Sequence, residues 1–249
     1  MPRPIPDRRR WRIVLAAVAA LAGGALLFHA FAGSPHRGGP TGLFTSLPIL
    51  WAESDSVGSL VRGEAPPHWA RAVLSARGSV VPLDSLGRID GLRLLLIAQP
   101  RPLGGAENVE LDRWVRGGGH VLLFADPMLT APSAFTLGDR RRPQDVVLLS
   151  PILSHWGLRL VFDEVQPLGT RKATVLGAEI PVNLPGRLEL SDPSAGCTLA
   201  DNGLAARCTL GKGRATIIAD AALLETGDDV PAESRTQALA ALLDRADGD

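Results

Sequence analysis

Residues 92–127 read LRLLLIAQPRPLGGAENVELDRWVRGGGHVLLFADP, and the fold is decided there. Two apolar runs of strand length flank a segment whose Leu111, Trp114 and Val115 recur at helical spacing on one face. The pattern predicts a β-α-β unit. The runs carry few charges, as parallel strands covered on both faces do, and the connection is long enough for a crossover helix. Glycines 117–119 end the helix, because glycine adopts the positive φ favoured at a helix C-terminus and lets the chain turn into the next strand.

Working outward, residues 43–52 (LFTSLPILWA) predict a buried first strand that starts late or bulges at Pro48. Residues 66–77 predict a helix with Trp69, Val73 and Leu74 inward, and residues 79–83 a second strand. After Pro127, residues 128–147 have no sustained period and read as a long surface loop containing Arg140, Arg141 and Arg142. Ser150 reads as the cap of a short helix with Pro151 at its first position and Gly157 past its end. Residues 158–162 resume a strand. Short runs between 172 and 210, broken by Gly and Pro, predict an antiparallel subregion. Residues 211–224 then return a strand to the sheet, ending at Asp220, and residues 234–247 form a closing helix with Ala238, Leu239, Leu242 and Leu243 inward. The expected fold class is α/β: a mostly parallel, flavodoxin- or amidotransferase-like three-layer sandwich with an antiparallel part.

At 249 residues the chain holds one such domain, and its 26 basic and 26 acidic residues cancel, which gives no electrostatic case for nucleic acid. The first segment predicts a compartment. Arg3, Arg8, Arg9, Arg10 and Arg12 precede an uncharged run at 13–32, long enough for a hydrocarbon core of roughly 30 Å. The reading is a single-pass anchor in a bacterial inner membrane, with residues 1–12 cytoplasmic, residues 33–42 a Gly/Pro-rich linker, and residues 43–249 periplasmic. A cleaved signal peptide is the alternative, because Ala30-Phe31-Ala32 fits a small-residue cleavage pattern. Cys197 and Cys208 are the only cysteines, and the turn-forming Asp201-Asn202-Gly203 lies between them. A hairpin closed by a disulfide is the natural reading in an oxidising compartment.

Several segments together resemble a known family. Trp114, Val115, Gly118 and Gly119, then Asp126-Pro127, then SPILSHWG at 150–157 are similar to the W-V-x-x-G-G, D-P and N/S-P-L-L-x-x-W/Y-G elements of the GldG-like and DUF4350 proteins. The resemblance covers most of residues 43–225. It implies a fold similar to class I glutamine amidotransferases and a place beside the permease and ATPase subunits of an ABC-type transport system.

An amidotransferase needs a cysteine on a tight turn after a strand, with a histidine to activate it. The strand in that place ends in Ala125 and Asp126. His68, His120 and His155 do not pair at metal-ligand spacing, no cofactor motif is present, and glycines 117–119 run from helix to strand, the reverse of a phosphate loop. Ligands of open α/β sheets bind beyond the C-terminal strand ends, which nominates Glu53, Asp84, Gln99, Arg101 and Asp126, with Asp55 and Asp220 beside them. Helix capping is the alternative role for these side chains. The expectation is a non-catalytic periplasmic auxiliary or binding component; the alternatives are an exported hydrolase or amidotransferase-like enzyme using strand-end carboxylates and a cleaved, freely soluble periplasmic binding protein.

Overall fold

The computed structural model describes residues 39–51, 53, 67–226 and 231–248. Its centre is a seven-stranded sheet built around the quoted β-α-β unit: β3 (Leu94–Ala98), α2 (Gly105–Arg116) and β4 (His120–Phe124). Before it come β1 (Thr41–Thr45), α1 (Trp69–Arg77) and β2 (Val80–Leu83). After it come α3 (Ser150–His155), β5 (Leu158–Phe162), β6 (Arg171–Val175), β7 (Ala178–Val182), β8 (Gly186–Leu190), β9 (Cys197–Ala200), β10 (Ala205–Leu210), β11 (Gly213–Ile218) and α4 (Ala232–Gly248). The sheet order is β2-β1-β3-β4-β11-β10-β9. The first five strands pair in parallel, and the β9–β10 hairpin adds two antiparallel strands beyond β11.

The strand period of two divides the core into two layers. Leu94, Leu96, Leu122, Phe124 and Ile218 face one side, where Val73 and Leu74 of α1 and Leu239, Leu242 and Leu243 of α4 cover them. Leu95, Ile97, Val121, Leu123 and Ile217 face the other, covered by Leu111, Trp114 and Val115 of α2 and Ile152 and Leu153 of α3. This is the expected three-layer arrangement with a largely parallel sheet. The α2–β4 junction behaves as its glycines require. Gly118 has φ +121°, a conformation open to glycine, and a Cβ on Gly119 would lie 2.4 Å from the Trp114 ring.

Several expectations are corrected. Among the described residues no helix is long and apolar enough to cross a membrane. The longest of these, α4, has 17 residues and turns Ala238, Leu239, Leu242 and Leu243 to the sheet while Glu233 and Asp244 stay exposed, as in an amphipathic sheet cover. The lack of a spanning helix among the described residues withdraws the architecture led by a transmembrane helix and its single-pass inner-membrane placement; the predicted span at 13–32 itself lies outside the described residues. The first strand does not start late at Pro48. It runs before the proline, and residues 46–51 bend away, since proline cannot donate to a central ladder. Leu149, not Ser150, precedes the first turn of α3. The antiparallel subregion is three separate pieces: a β6–β7 hairpin, a β5–β8 ribbon, and the β9–β10 extension of the main sheet.

Candidate functional site at the strand ends

β1 adjoins both β2 and β3, so the connections diverge there, and the C-terminal ends of β1, β3, β4 and β11 line up along one edge. The residue after β3 is Gln99, fully buried and in the left-handed region at φ 42°. Its side chain is used completely. Nε2 donates to the carbonyls of Asp126 (3.0 Å) and Gln144 (2.7 Å), and Oε1 accepts the Asp126 amide (3.0 Å). The Gln99 carbonyl accepts Ser46 Oγ, whose oxygen in turn accepts the Gln144 amide at 3.0 Å. Gln99 therefore ties the ends of β1, β3 and β4 to the start of the chain leading into α3.

Next to it lies a group of buried carboxyls. Asp126 is 0 % exposed and Asp220 1 %. Asp126 Oδ1 accepts the Met128 amide (2.8 Å) and Oδ2 the Ala221 amide (3.0 Å). Asp220 accepts the amides of Ala222 (2.7 Å) and Asn183 (2.9 Å). Glu225, past a short 3-10 turn, accepts the amide and hydroxyl of Thr130, whose Oγ1 receives Asn183 Nδ2 at 2.9 Å. Burial pushes Asp126 up to about 7; its two amide donors oppose the rise and the nearby Glu225 charge adds to it. Burial also raises Asp220, reinforced by the charge of Asp126, and it raises Glu225. All three shifts favour the protonated forms, because the carboxyls lie out of water and close to one another.

The other nominated residues separate from this group. Arg101 is exposed and forks onto both oxygens of Glu107 (2.8 and 2.9 Å) while donating to the Asp84 carbonyl at 2.7 Å and lying over the Phe44 ring. Glu107 also accepts the amides of Gly104 and Leu86, and the Arg101 hydrogen bond holds it down at about 2. Arg101 and Asp84 are thereby committed to fastening β2, β3 and α2. Glu53 accepts Ser133 Oγ and the Ala134 amide from the long loop after β4. Asp55 lies outside the described residues. Of the five, the structure brings only Gln99 and Asp126 together, and it adds Asp220, Glu225, Thr130 and Asn183. Glu225 carries no signal in the sequence, because its approach depends on the turn after β11.

The histidines have other partners. His68 caps α1 and meets the Leu224 carbonyl at 2.9 Å, with burial lowering its pKa; His120 meets the Asp247 carbonyl at 3.0 Å; His155 pairs with Asp112 at 3.3 Å. Among the described residues no group of three or more His, Cys, Asp or Glu could hold a metal ion. Cys197 and Cys208 form a disulfide, with Cα atoms 3.9 Å apart, directly across β9 and β10. No thiol is left in the chain. The strand-end carboxyls anchor backbone amides, and burial favours their protonated forms.

No family model and no curated protein matches the sequence. Among solved structures, the chain is similar to the exo-β-1,4-mannosidase Op5Man5 of Opitutaceae bacterium strain TAV5, at 18% identity and TM-score 0.49, over 88% of this chain and 38% of that one. It is similar to the cold-adapted β-galactosidase of Rahnella sp. R3 at 14% identity and TM-score 0.47, over 93% of this chain and 34% of that one. A ThuA-like protein from Bacteroides uniformis aligns at 10% identity and TM-score 0.43, over 87% of this chain and 95% of that one. The chain thus spans roughly a third of the length of the glycosidases it matches.

Proposed function

We propose that the chain is a non-catalytic auxiliary component of an ABC-type transport system of the GldG-like and DUF4350 kind, working beside permease and ATPase subunits. One observation carries the reading. At the end of β4, where an amidotransferase-like domain would need its thiol, stands Asp126, buried and with both oxygens bonded to backbone amides, while the only two cysteines are joined across β9 and β10. The motif segments that carry the resemblance are used as packing junctions: the Trp114–Gly119 contact, the Asp126-Pro127 turn and the Pro151-led helix α3. The test is co-purification of the tagged full-length chain from a detergent extract of its host. A permease or ATPase recovered in stoichiometric amount supports the proposal, and repeated isolation free of any transporter component overturns it.

A hydrolase using the strand-end carboxyls is a second reading, favoured by the rise of Asp126 to about 7, near the optimum for general acid or base work. Turnover of chromogenic esters, amides or glycosides by the wild type and not by Asp126→Asn would select it.

A further inference from the structure

The β5–β8 ribbon has two unlike faces. Leu158 and Leu188 are buried in the core, so the alternate residues must turn outward. In the antiparallel register Arg159 stands opposite Glu189 and Val161 opposite Arg187, which puts two arginines and one glutamate together on the outer face. That face lines a cleft of about 660 Å³, within the size range of small-molecule sites, and Arg171 at the head of β6 lines it too.

The charges in this cleft do not balance. Arg159, Arg171 and Arg187 face Asp163 and Glu189, a net of one positive charge. Both acids already have partners. Glu189 gives one oxygen to Arg159 (2.5 Å) and the other to Arg187 (2.7 Å), and Asp163 Oδ1 accepts the Val165 amide at 2.9 Å. Arg171 makes no ion pair among the described residues. Each guanidinium carries five donors in a planar fork, so the single carboxylate between Arg159 and Arg187 leaves most of them unused. Asn202, held at φ 58°, adds a neutral polar group to the wall. Three guanidinium groups around one concavity repel unless further negative charge enters, and planar or tetrahedral oxyanions fit their fork geometry.

We propose that this cleft binds a small polyanion, a ligand presenting two or more carboxylate or phosphate charges to Arg159, Arg171 and Arg187. Glu189 is a positioning residue here, holding Arg159 through one oxygen and Arg187 through the other. The proposal goes beyond the transporter reading and does not depend on it, because the cleft shares no residue with the strand-end carboxyls.

The test is calorimetric titration of the purified full-length chain with citrate and, separately, with inorganic pyrophosphate at constant ionic strength. Saturable one-site binding of at least one probe is expected, and which probe binds tells a carboxylate ligand from a phosphate ligand. Arg171→Gln is expected to weaken it about tenfold, the loss of one charge-assisted contact, while Arg71→Gln on the exposed face of α1 leaves it unchanged. Arg187→Gln gives the same readout should Arg171→Gln fail to fold. Failure of the wild type to saturate with either anion at millimolar concentration overturns the proposal. So does binding that survives both cleft variants, or that falls equally with Arg71→Gln.

Discussion

At Asp126 opposing effects can be ranked. Burial, with the nearby Glu225 charge, outweighs the two backbone amides that favour its charged form and lifts it to about 7. In the unfolded chain an aspartate titrates near 3.9. Between about pH 4 and pH 7 the folded state therefore binds the extra proton, and the stability this confers below pH 4 is lost as pH rises through 7. His68 acts oppositely, since burial lowers its pKa and acidification below 6.5 favours the unfolded chain. The difference between wild type and Asp126→Asn isolates the aspartate. We expect the wild-type melting midpoint, relative to the variant, to fall by several degrees between pH 4 and pH 7, at about 2–4 °C per kcal/mol for a domain of this size. Parallel midpoint-versus-pH curves by calorimetry would contradict the assignment. Asp126 was legible in the sequence because an aspartate before proline at a strand end marks a turn with a buried anchor. Arg101 misleads for a local reason: the partner that occupies it, Glu107, sits six residues on, across the start of α2.

At the scale of elements, the junctions hold the testable detail. The α2–β4 turn lets Trp114 pack onto the backbone of Gly119, with no room for a methyl group. Gly119→Ala must displace the indole, and overpacking of this kind costs about 1–3 kcal/mol, read as a lower urea midpoint with an unchanged slope. Gly105→Ala is the control, because nothing lies within 4 Å of a Cβ there. The β9–β10 hairpin makes a second prediction. Its disulfide closes a span of 11 residues, for which chain entropy gives a stabilisation of about 2–3 kcal/mol. A Cys197→Ala/Cys208→Ala protein is expected to unfold at correspondingly lower urea, and reductant is expected to shift the wild type to the same midpoint and leave the variant unmoved. The hairpin was readable from the Asp201-Asn202-Gly203 turn between two cysteines. Its attachment to β11, and the separate pairing of β5 with β8, were not, because pairing between distant strands leaves no trace in local periodicity.

For the whole molecule, the sequence carried the sheet's layers better than its edges. Runs such as LLLIA and VLLF admit only burial on both faces, and that demands helices on both sides; the helical spacing of Leu111, Trp114 and Val115 supplies one cover and that of Ala238, Leu239, Leu242 and Leu243 the other. The second cover can be tested, because α4 and the β6–β7 hairpin close one face of β1, β3, β4 and β11 together. Leu239, Leu242 and Leu243 are fully buried against it, and Arg235 reaches back to the Glu225 carbonyl, linking the helix to the carboxyl group at the strand ends. Leu242→Ala removes three carbons from a packed layer and is expected to cost about 2–5 kcal/mol, the range for buried leucines that leave a cavity. Lys172→Ala, whose ion pair with Glu179 is exposed on both sides, should change stability by about 1 kcal/mol or less. If the fold rests on closure of this layer, deleting residues 232–249 leaves Leu94, Leu96, Leu122 and Phe124 uncovered, and the truncated chain should fail to give a cooperative melting transition. A truncated chain that melts cooperatively near the wild-type midpoint would mean that α1 and the β6–β7 hairpin cover the sheet without it.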